Sequence, residues 1–201
     1  SETYDRQLAD IFAVQDEIAQ TIVNTLEMDY IGHSEVPVEK KQETSIEAYN
    51  LYLQGIQFQT NRDKVGMEKA LTFFKQTIEK DPNYALAYVG VANTNLLMSD
   101  YGYKNYDESL PIAEMNANKA LKLSPNSAEV YTSLAFVSLI KKEDPQITEK
   151  YFKKAITLNP NYATAQHWYS DFLKLVIKDQ KAAYKYASKA YELDPLSPIV
   201  A

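Results

Sequence analysis

Apolar residues recur along this chain at three- and four-residue steps, a pattern that predicts amphipathic α-helices. In the first such segment, residues 8–27, these steps are occupied by Leu8, Ile11, Phe12, Ile18, Ala19, Ile22, Val23 and Leu26. From Met28 to Gln42 the pattern gives way to glycine, proline and charged residues, which is typical of a linker. The capping-box spacing of Thr44 and Glu47 then predicts the start of a new helix.

After this point the chain repeats one unit four times, and each unit ends at a proline: Pro82, Pro125, Pro160 and Pro195. The intervals between these prolines are 43, 35 and 35 residues, close to the roughly 34-residue period of helix-turn-helix solenoids. Small and large residues stand at fixed places before each proline, for example Ala70 and Phe74 before Pro82. A small residue lets two helices approach closely and a large one fills the space beside it, so each unit is predicted to be a helix pair.

These positions resemble tetratricopeptide repeats over residues 45–195. The resemblance implies an all-α fold, a right-handed superhelix of antiparallel helix pairs. Two positions depart from the family pattern, because Thr77 stands where a small alanine is usual and Gln166 stands where an aromatic residue is usual. The expected domains are an N-terminal amphipathic helix at 1–30, a linker at 31–44, four repeats over 45–197 (45–84, 85–127, 128–162 and 163–197) and the start of a next element at 198–201.

The front segment carries a second resemblance. The stretch SETYDR at residues 1–6, followed by DIFAVQDEIA at residues 10–19, is similar to a junction in multidomain bacterial signalling proteins. In those proteins a small α/β module precedes tetratricopeptide repeats, behind an adenylate or guanylate cyclase, a winged-helix regulator or a protein kinase. The resemblance implies an output domain upstream of this chain. The helix at 8–27 is expected either to cap the first repeat or to fill the groove of the repeats.

Composition narrows the expected partners. The formal net charge is −6, and no basic run is longer than Lys40-Lys41, so nucleic acid is not an expected partner. The chain has no cysteine, which excludes disulfides and thiolate chemistry. No apolar run approaches the roughly 20 residues of a membrane-spanning helix, so we expect no membrane contact from this segment and a cytoplasmic location.

Candidate chemistry is sparse. The chain has no glycine-rich phosphate loop, and its two histidines, His33 and His167, are too few for a multi-histidine metal site. Ser138 and Lys141 have the spacing of acyl-serine enzymes, but the companion motifs are missing. We therefore expect no catalytic residue, no metal and no cofactor in this chain.

The resemblance implies that the first helix of each unit lines a concave face that binds peptides. The candidate groove residues at these positions are Tyr49, Tyr52, Ile56, Leu86, Val89, Asn93, Phe136, His167, Trp168 and Asp171. The family's clamp for a terminal carboxylate is absent, because Glu129 and Ser133 are among the residues at its positions. An amphipathic helix or an extended apolar peptide suits this lining better. The alternative is that Trp168 and Phe136 only pack against adjacent helices.

About nine extra residues between Asn95 and Ala113 hold three candidate edge-loop residues, Tyr101, Tyr103 and Tyr106. They are interpreted either as a longer turn with stacked tyrosines or as a contact patch. The predicted function is a non-catalytic scaffold that binds a protein or peptide within a larger bacterial signalling protein. Alternatives are a regulatory or dimerisation segment of a nucleotide cyclase whose catalytic domain lies upstream, and a homodimer interface.

Overall fold

The computed structural model describes residues 46–195, and all of its regular elements are helical. The amphipathic helix predicted at 8–27, the linker at 31–44 and the upstream junction lie outside these residues. The described helices are α1 (Ile46–Thr60), α2 (Lys64–Lys80), α3 (Ala85–Asp100), α4 (Tyr106–Leu123), α5 (Ala128–Ile140), α6 (Pro145–Leu158), α7 (Ala163–Phe172), a π-helical turn (Leu173–Ile177) and α8 (Gln180–Leu193).

The helices pack as four consecutive pairs, α1 with α2, α3 with α4, α5 with α6 and α7 with α8. The first helices of successive pairs also pack against each other, α1 on α3, α3 on α5 and α5 on α7. The second helices α2, α4 and α6 instead pack against the first helix of the next pair. The stack is therefore closer on the side of α1, α3, α5 and α7, which we call the inner helices, and the others are the outer helices. The predicted all-α stack of helix pairs is confirmed.

Each inner helix is followed by one residue in the left-handed region of backbone conformation. These residues are Arg62 (φ 57°), Gly102 (φ 74°), Lys142 (φ 56°) and Lys178 (φ 66°). A left-handed residue ends a helix because it turns the backbone away while satisfying the last carbonyl groups. Around Gly102, for example, the amide of Tyr103 donates to the carbonyl of Met98 at 2.7 Å. A left-handed residue therefore stands where the chain reverses inside every pair.

The outer helices end at the four prolines. The residue before each proline caps the helix, and its amide donates to the carbonyl four residues earlier, as from Asp81 to Thr77 at 2.8 Å. The Asp81 carboxylate then accepts from the amide of Asn83 at 2.9 Å, which fixes the turn into the next inner helix. Asn159 makes the equivalent contact with the amide of Asn161 at 3.0 Å.

The predicted packing of small against large residues is clearest at Phe74, whose side chain is fully buried. Its ring lies against two glycines on successive inner helices, Gly55 on α1 and Gly90 on α3. A Cβ atom added to Gly55 would come within 2.5 Å of the ring, and one added to Gly90 within 2.7 Å. The two glycines therefore make room for one aromatic ring that joins the first pair to the second.

The two departures from the family pattern are accommodated by hydrogen bonds. Gln166 stands six residues after Pro160, the place that Tyr88 has after Pro82. The Tyr88 hydroxyl donates to the carbonyl of Pro82 at 3.0 Å, and the Gln166 side-chain amide donates to the carbonyl of Pro160 at 2.8 Å. Gln166 thus holds the preceding turn as the tyrosine does. Thr77 is fully buried, and its hydroxyl donates to the carbonyl of Phe73 at 2.9 Å, so its polar atom has a partner.

Candidate functional site

The candidate groove residues lie on the inner helices, but their exposure differs along the stack. In the two middle pairs, Val89, Asn93 and Phe136 are only 6–7% exposed. At the first pair Tyr49 is 39% exposed and Tyr52 is half-buried. Half-buried candidates elsewhere on the inner helices are Ile56, Leu86, His167, Trp168 and Asp171. Apart from Leu86 on α3, the accessible candidates in this row of groove positions therefore lie on the first and last inner helices, α1 and α7.

The candidate groove residues on α5 and α7 contact other side chains of the protein. The rings of Phe136 and Trp168 pack with centroids 4.7 Å apart at 56°, so α5 and α7 share an aromatic contact. The Nε2 atom of His167 lies 3.5 Å from the Oδ2 atom of Asp171, one turn along α7. Because the Asp171 side chain is half-exposed, this contact is a weak one that the imidazole makes when protonated.

The candidate groove residues on α1 belong to a group of tyrosines. The ring of Tyr52 lies 5.2 Å from the ring of Tyr84 and 5.9 Å from that of Phe74. Burial is the main cause that raises the pKa of the Tyr52 hydroxyl, and the nearby groups of Tyr162, Tyr84, Glu129 and Tyr49 raise it further. Such an effect requires proximity because Coulomb interactions weaken with distance. The rings of Tyr52 on α1 and Tyr84 in the turn before α3 are therefore neighbours, and the groups of Tyr162 and Glu129 are near enough to raise the pKa of the Tyr52 hydroxyl.

Glu129 is the carboxylate of this group. It lies in the first turn of α5, where it accepts a hydrogen bond from the hydroxyl of Ser127 at 2.6 Å. Burial raises the pKa of Tyr162 to about 12, and the negative charge of Glu129 adds to that rise. No lysine or arginine among residues 46–195 forms an ion pair with Glu129. Among these residues, the side-chain hydrogen-bond partner of Glu129 is thus the neutral hydroxyl of Ser127.

Sequence reasoning missed two members of this group, Tyr84 and Tyr162. Each stands directly before an inner helix, α3 or α7, and not within the helical register used to choose candidates. A signal was present, because both tyrosines end the same short motif, DPNY at residues 81–84 and NPNY at residues 159–162. The corresponding stretch at residues 124–127 reads SPNS, and its Ser127 is the residue that contacts Glu129.

Charge is divided between the two sets of helices. The inner helices α1, α3, α5 and α7 contain no lysine or arginine, and their four carboxylates belong to Glu47, Asp100, Glu129 and Asp171. The outer helices carry twelve lysines, four on α2, two on α4, three on α6 and three on α8. The inner helices are therefore acidic to neutral, and the cationic groups of these paired helices lie on the outer ones.

Three buried polar atoms on the inner helices have no hydrogen-bond partner, the Oδ1 atom of Asn93, the Oγ atom of Ser133 and the Oε1 atom of Gln166. Asn93 is 7% exposed and Ser133 is fully buried. A buried acceptor without a partner costs free energy, on the order of 1–3 kcal/mol.

The edge-loop candidates make contacts with their surroundings. The insertion mainly lengthens α3 and α4, and leaves a short turn at 101–105. The rings of Tyr101 and Tyr103 stack with centroids 6.2 Å apart, and the Tyr103 hydroxyl donates to the carbonyl of Arg62 at 3.4 Å. The hydroxyl of Tyr106 donates to the carboxylate of Asp100. Burial and this hydrogen bond raise the pKa of Tyr106, whereas Tyr101 is 48% exposed and offers its face to solvent.

Ser138 and Lys141, which have the spacing of acyl-serine enzymes, each contact other residues instead of each other. The Ser138 hydroxyl is buried and hydrogen-bonds with the hydroxyl of Thr148 at 2.8 Å. The Lys141 amine contacts the carboxylates of Glu114 at 2.6 Å and Glu143 at 3.0 Å. Within residues 46–195, no group of three acidic or histidine side chains could hold a metal ion. None of the helices in that same part of the chain has the length and apolar character needed to cross a membrane.

Comparison with known proteins gives a sequence relative and several structural ones. No protein-family model matches the chain. A protein of Rhizobium meliloti (strain 1021) named "Putative adenylate cyclase 3" is 34% identical over 92 residues, a match that covers 46% of this chain and 16% of that protein. The matched region is therefore a small part of the relative's length.

Among solved structures, the chain resembles TTC0263, a thermophilic tetratricopeptide repeat (TPR) protein of Thermus thermophilus. The two are 17% identical, with a TM-score of 0.56 over 74% of this chain and 75% of that one. MamA of Desulfovibrio magneticus RS-1 is 20% identical, with a TM-score of 0.43 over 74% and 76%. The first TPR of Spaghetti (RPAP3), bound to an HSP90 peptide, is 14% identical, with a TM-score of 0.49 over 65% and 94%. The likeness to TTC0263 shows that residues 46–195 have the tetratricopeptide repeat fold.

Proposed function

We propose that this chain is a non-catalytic scaffold that binds an amphipathic helix or an extended apolar peptide on its inner face. The observation that carries this proposal is the character of the inner helices, which present tyrosine and aliphatic side chains and no lysine or arginine. Large, rigid aromatic residues are frequent anchors at protein interfaces. The candidate groove residues are proposed as the lining, and the three edge tyrosines as a second contact patch.

The exposed residues of the inner helices allow a direct test. Leu53 lies on α1 between Tyr52 and Ile56 and is 44% exposed. A charged residue there would have to lose its hydration when an apolar ligand covers it, whereas it costs little in the free protein. We therefore expect Leu53→Glu to reduce binding without changing the helical content.

The experiment selects a phage-displayed dodecapeptide library on the purified 201-residue chain and measures binding of the selected peptides by fluorescence anisotropy. Met115→Glu is the matched control, because it places the same charge at a residue 66% exposed on the outer helix α4. Loss of binding with Leu53→Glu but not with Met115→Glu supports the proposal. A library that yields no binder, or equal effects of the two variants, refutes it.

We also propose that the chain belongs to a larger signalling protein, with repeats divided at 45–84, 85–127, 128–162 and 163–197. The match to a protein named as an adenylate cyclase supports a role as the regulatory segment of a nucleotide cyclase. The test compares cyclase activity of the full-length parent polypeptide with and without a groove-binding peptide, using Leu53→Glu to block the groove. A parent without cyclase activity would contradict the cyclase role, whereas unchanged activity with peptide would contradict regulation through the groove.

A homodimer is a second candidate function, favoured by one surface of the last pair. Tyr184 is 76% exposed and Tyr191 is 52% exposed, and they lie seven residues apart on the same face of α8. Light scattering of the 201-residue chain over a range of concentrations tests this candidate. A dimer that becomes monomeric in Tyr184→Glu supports it, and a monomer at all concentrations refutes it.

A further inference from the structure

The free face of α8, the last outer helix of residues 46–195, indicates how two copies of this chain pair. Building on the homodimer proposed above as a second candidate, we infer that two α8 helices pack antiparallel around a two-fold axis between Ala187 and Ser188. Tyr184 of each copy then lies against Tyr191 of the other copy. Each lysine at position 181 lies opposite the aspartate at position 194 of the second copy.

The first argument is that α8 lacks the cover that the other outer helices have. Each of α2, α4 and α6 packs against the inner helix of the next pair, whereas no helix follows α8 within residues 46–195. Ala187, eight residues before Pro195, is half-buried, whereas its counterparts in the earlier pairs are fully buried: Phe74, Ala117 and Phe152. Tyr191, four residues before Pro195, is 52% exposed, whereas its counterparts are half-buried against the core: Ile78, Leu121 and Ile156. The face of α8 that carries Ala187 and Tyr191 is therefore an apolar surface without a partner in this part of the chain.

The second argument is that the other end of the stack is polar on its free side. Gln54 and Gln57 on α1 stand one residue before and two residues after Gly55, and both are exposed. The corresponding residues around the small residues Ala92, Ala135 and Ser170 of the later inner helices are 0–6% exposed: Val91, Leu134, Tyr169, Thr94, Val137 and Phe172. On α7 these positions contact the preceding outer helix, since the ring centroids of Tyr169 and Phe172 lie 5.5 and 5.8 Å from that of Phe152.

The polar side of α1 decides which ends of two copies associate. The amides of Gln54 and Gln57 would lose their hydration if the α8 helix of a second copy covered them. Association of α8 with α1 would also continue from copy to copy as an open chain, whereas association of two α8 helices closes at a dimer. The apolar free face at the last end therefore favours the pairing of like ends.

The third argument is the order of residues on the free face of α8. Tyr184 stands three residues before Ala187, and Tyr191 stands three residues after Ser188. Steps of three and four residues place all of them on one face of the helix. Reversing the helix about the midpoint between Ala187 and Ser188 exchanges the two tyrosines. In an antiparallel pair the small central side chains thus allow close approach, and each tyrosine ring packs on the other tyrosine of the second copy.

The fourth argument is charge complementarity. Lys181 and Asp194 are each six residues from the central pair, on opposite sides, so the same axis brings each lysine opposite an aspartate of the second copy. Both side chains are exposed, and neither forms an ion pair within residues 46–195. The other two lysines of α8 contact side chains of their own helix, Lys185 the ring of Tyr186 at 5.7 Å and Lys189 the carboxylate of Glu192 at 3.3 Å. Lys181 and Asp194 are therefore the charges of this face that remain for a second copy.

The experiment measures the dimer dissociation constant of the 201-residue chain by sedimentation equilibrium. Lys181→Glu and Asp194→Lys are measured alone and mixed in equal amounts. Each variant alone brings like charges together twice in the dimer, so we expect each to raise the Kd about tenfold. In the mixture both ion pairs form with one pair reversed in sign, so the mixed dimer should be as stable as that of the wild type. Lys150→Glu on α6 is the matched control, because Lys150 is also exposed and forms no ion pair within residues 46–195.

A second measurement does not depend on charge. The chain has no cysteine, so Ser188→Cys introduces a single thiol beside the proposed axis. With oxidised glutathione as the oxidant, two such thiols on facing helices should form a disulfide between copies, since a disulfide joins Cα atoms less than about 7 Å apart. Met115→Cys is the control, because it places a thiol at a residue 66% exposed on α4, away from the axis, and should crosslink far more slowly. This measurement decides the test if a charge variant loses helical content.

A wild-type chain that stays monomeric at all concentrations would refute the homodimer and the α8 pairing with it. A dimer whose Kd is unchanged by both charge variants, and which Ser188→Cys does not crosslink, would overturn the α8 pairing and leave a homodimer through another surface. Weakening by both variants without recovery in their mixture would also overturn it, because the two residues would then stabilise α8 itself. None of these outcomes bears on peptide binding at the inner face.

Discussion

Replacing Gly90 by alanine tests whether the buried packing of Phe74 against Gly90 stabilises the inner helices. Gly90 lies on α3 with the buried ring of Phe74 against it, and the same ring lies 5.9 Å from Tyr52 in the groove. A Cβ at position 90 would come within 2.7 Å of three ring atoms, whereas carbon atoms prefer about 3.5–4.0 Å. The ring would have to move by roughly 1 Å within a closely packed core, which is typical of overpacking.

Two effects of opposite sign determine how much Gly90→Ala changes the free energy of unfolding. Alanine favours the helix over glycine by about 1 kcal/mol. Overpacking a core costs about 1–3 kcal/mol. We expect the steric effect to win, so that Gly90→Ala lowers the free energy of unfolding by about 1 kcal/mol. The measurement is urea unfolding of the 201-residue chain followed by circular dichroism, with an unchanged dependence on urea concentration.

Two further comparisons isolate the cause of the expected loss of stability. At Gln54, an exposed site on α1, the difference between Gln54→Ala and Gln54→Gly measures the helix preference without any contact to the ring. In a Phe74→Leu background the smaller side chain leaves space, so Gly90→Ala should become neutral or stabilising. A stabilising effect of Gly90→Ala in the wild-type background, equal to the Gln54 difference, would refute the steric argument.

Three other outcomes can be measured in the same way. Lys178→Gly should stabilise the protein by about 1 kcal/mol because it relieves a left-handed residue, whereas Lys181→Gly in the first turn of α8 should destabilise it by a similar amount. Burial raises the pKa of the Tyr84 hydroxyl to about 12. The folded state therefore favours the protonated hydroxyl, and this contribution to the free energy of unfolding is complete below a pH of about 10 and is lost as the pH rises towards 12. In urea unfolding, Tyr84→Phe should lose less stability than the wild type between these two pH values. Trp168→Ala should lower the free energy of unfolding by about 3 kcal/mol, since it removes the ring packed on Phe136 at 4.7 Å, and a loss below about 1 kcal/mol would contradict this.

The repeats could be predicted because their signals are local and recur. Each outer helix ends where a proline forbids its continuation, and the small residues that allow close packing stand at constant distances before that proline. Phe74 illustrates this, because its spacing before Pro82 marked it as a large packing residue and the structure places its ring against Gly55 on the preceding helix. Stacking then follows from the unburied apolar faces of single pairs.

The tyrosine group could not be predicted from spacing, because it depends on how successive pairs are placed in space. Tyr52 and Glu129 come from different repeats, and Tyr162 precedes its helix. Helical periodicity orders side chains within one helix and says nothing about residues in the turns between helices. The burial of Asn93 was also missed, because periodicity marks it as inner without showing whether solvent reaches it.

Lysines of the outer helices lie over aromatic rings of the chain itself. On the outer side, lysines already occupy aromatic faces, since the Lys69 amine lies 5.1 Å from the ring centre of Phe58 and the Lys119 amine 5.9 Å from that of Tyr88. The chain therefore pairs its aromatic rings with its own cations where lysines are available. No lysine or arginine of residues 46–195 lies over the ring of Tyr52. Within this part of the chain, the ring of Tyr52 instead packs against the rings of Tyr84 and Phe74.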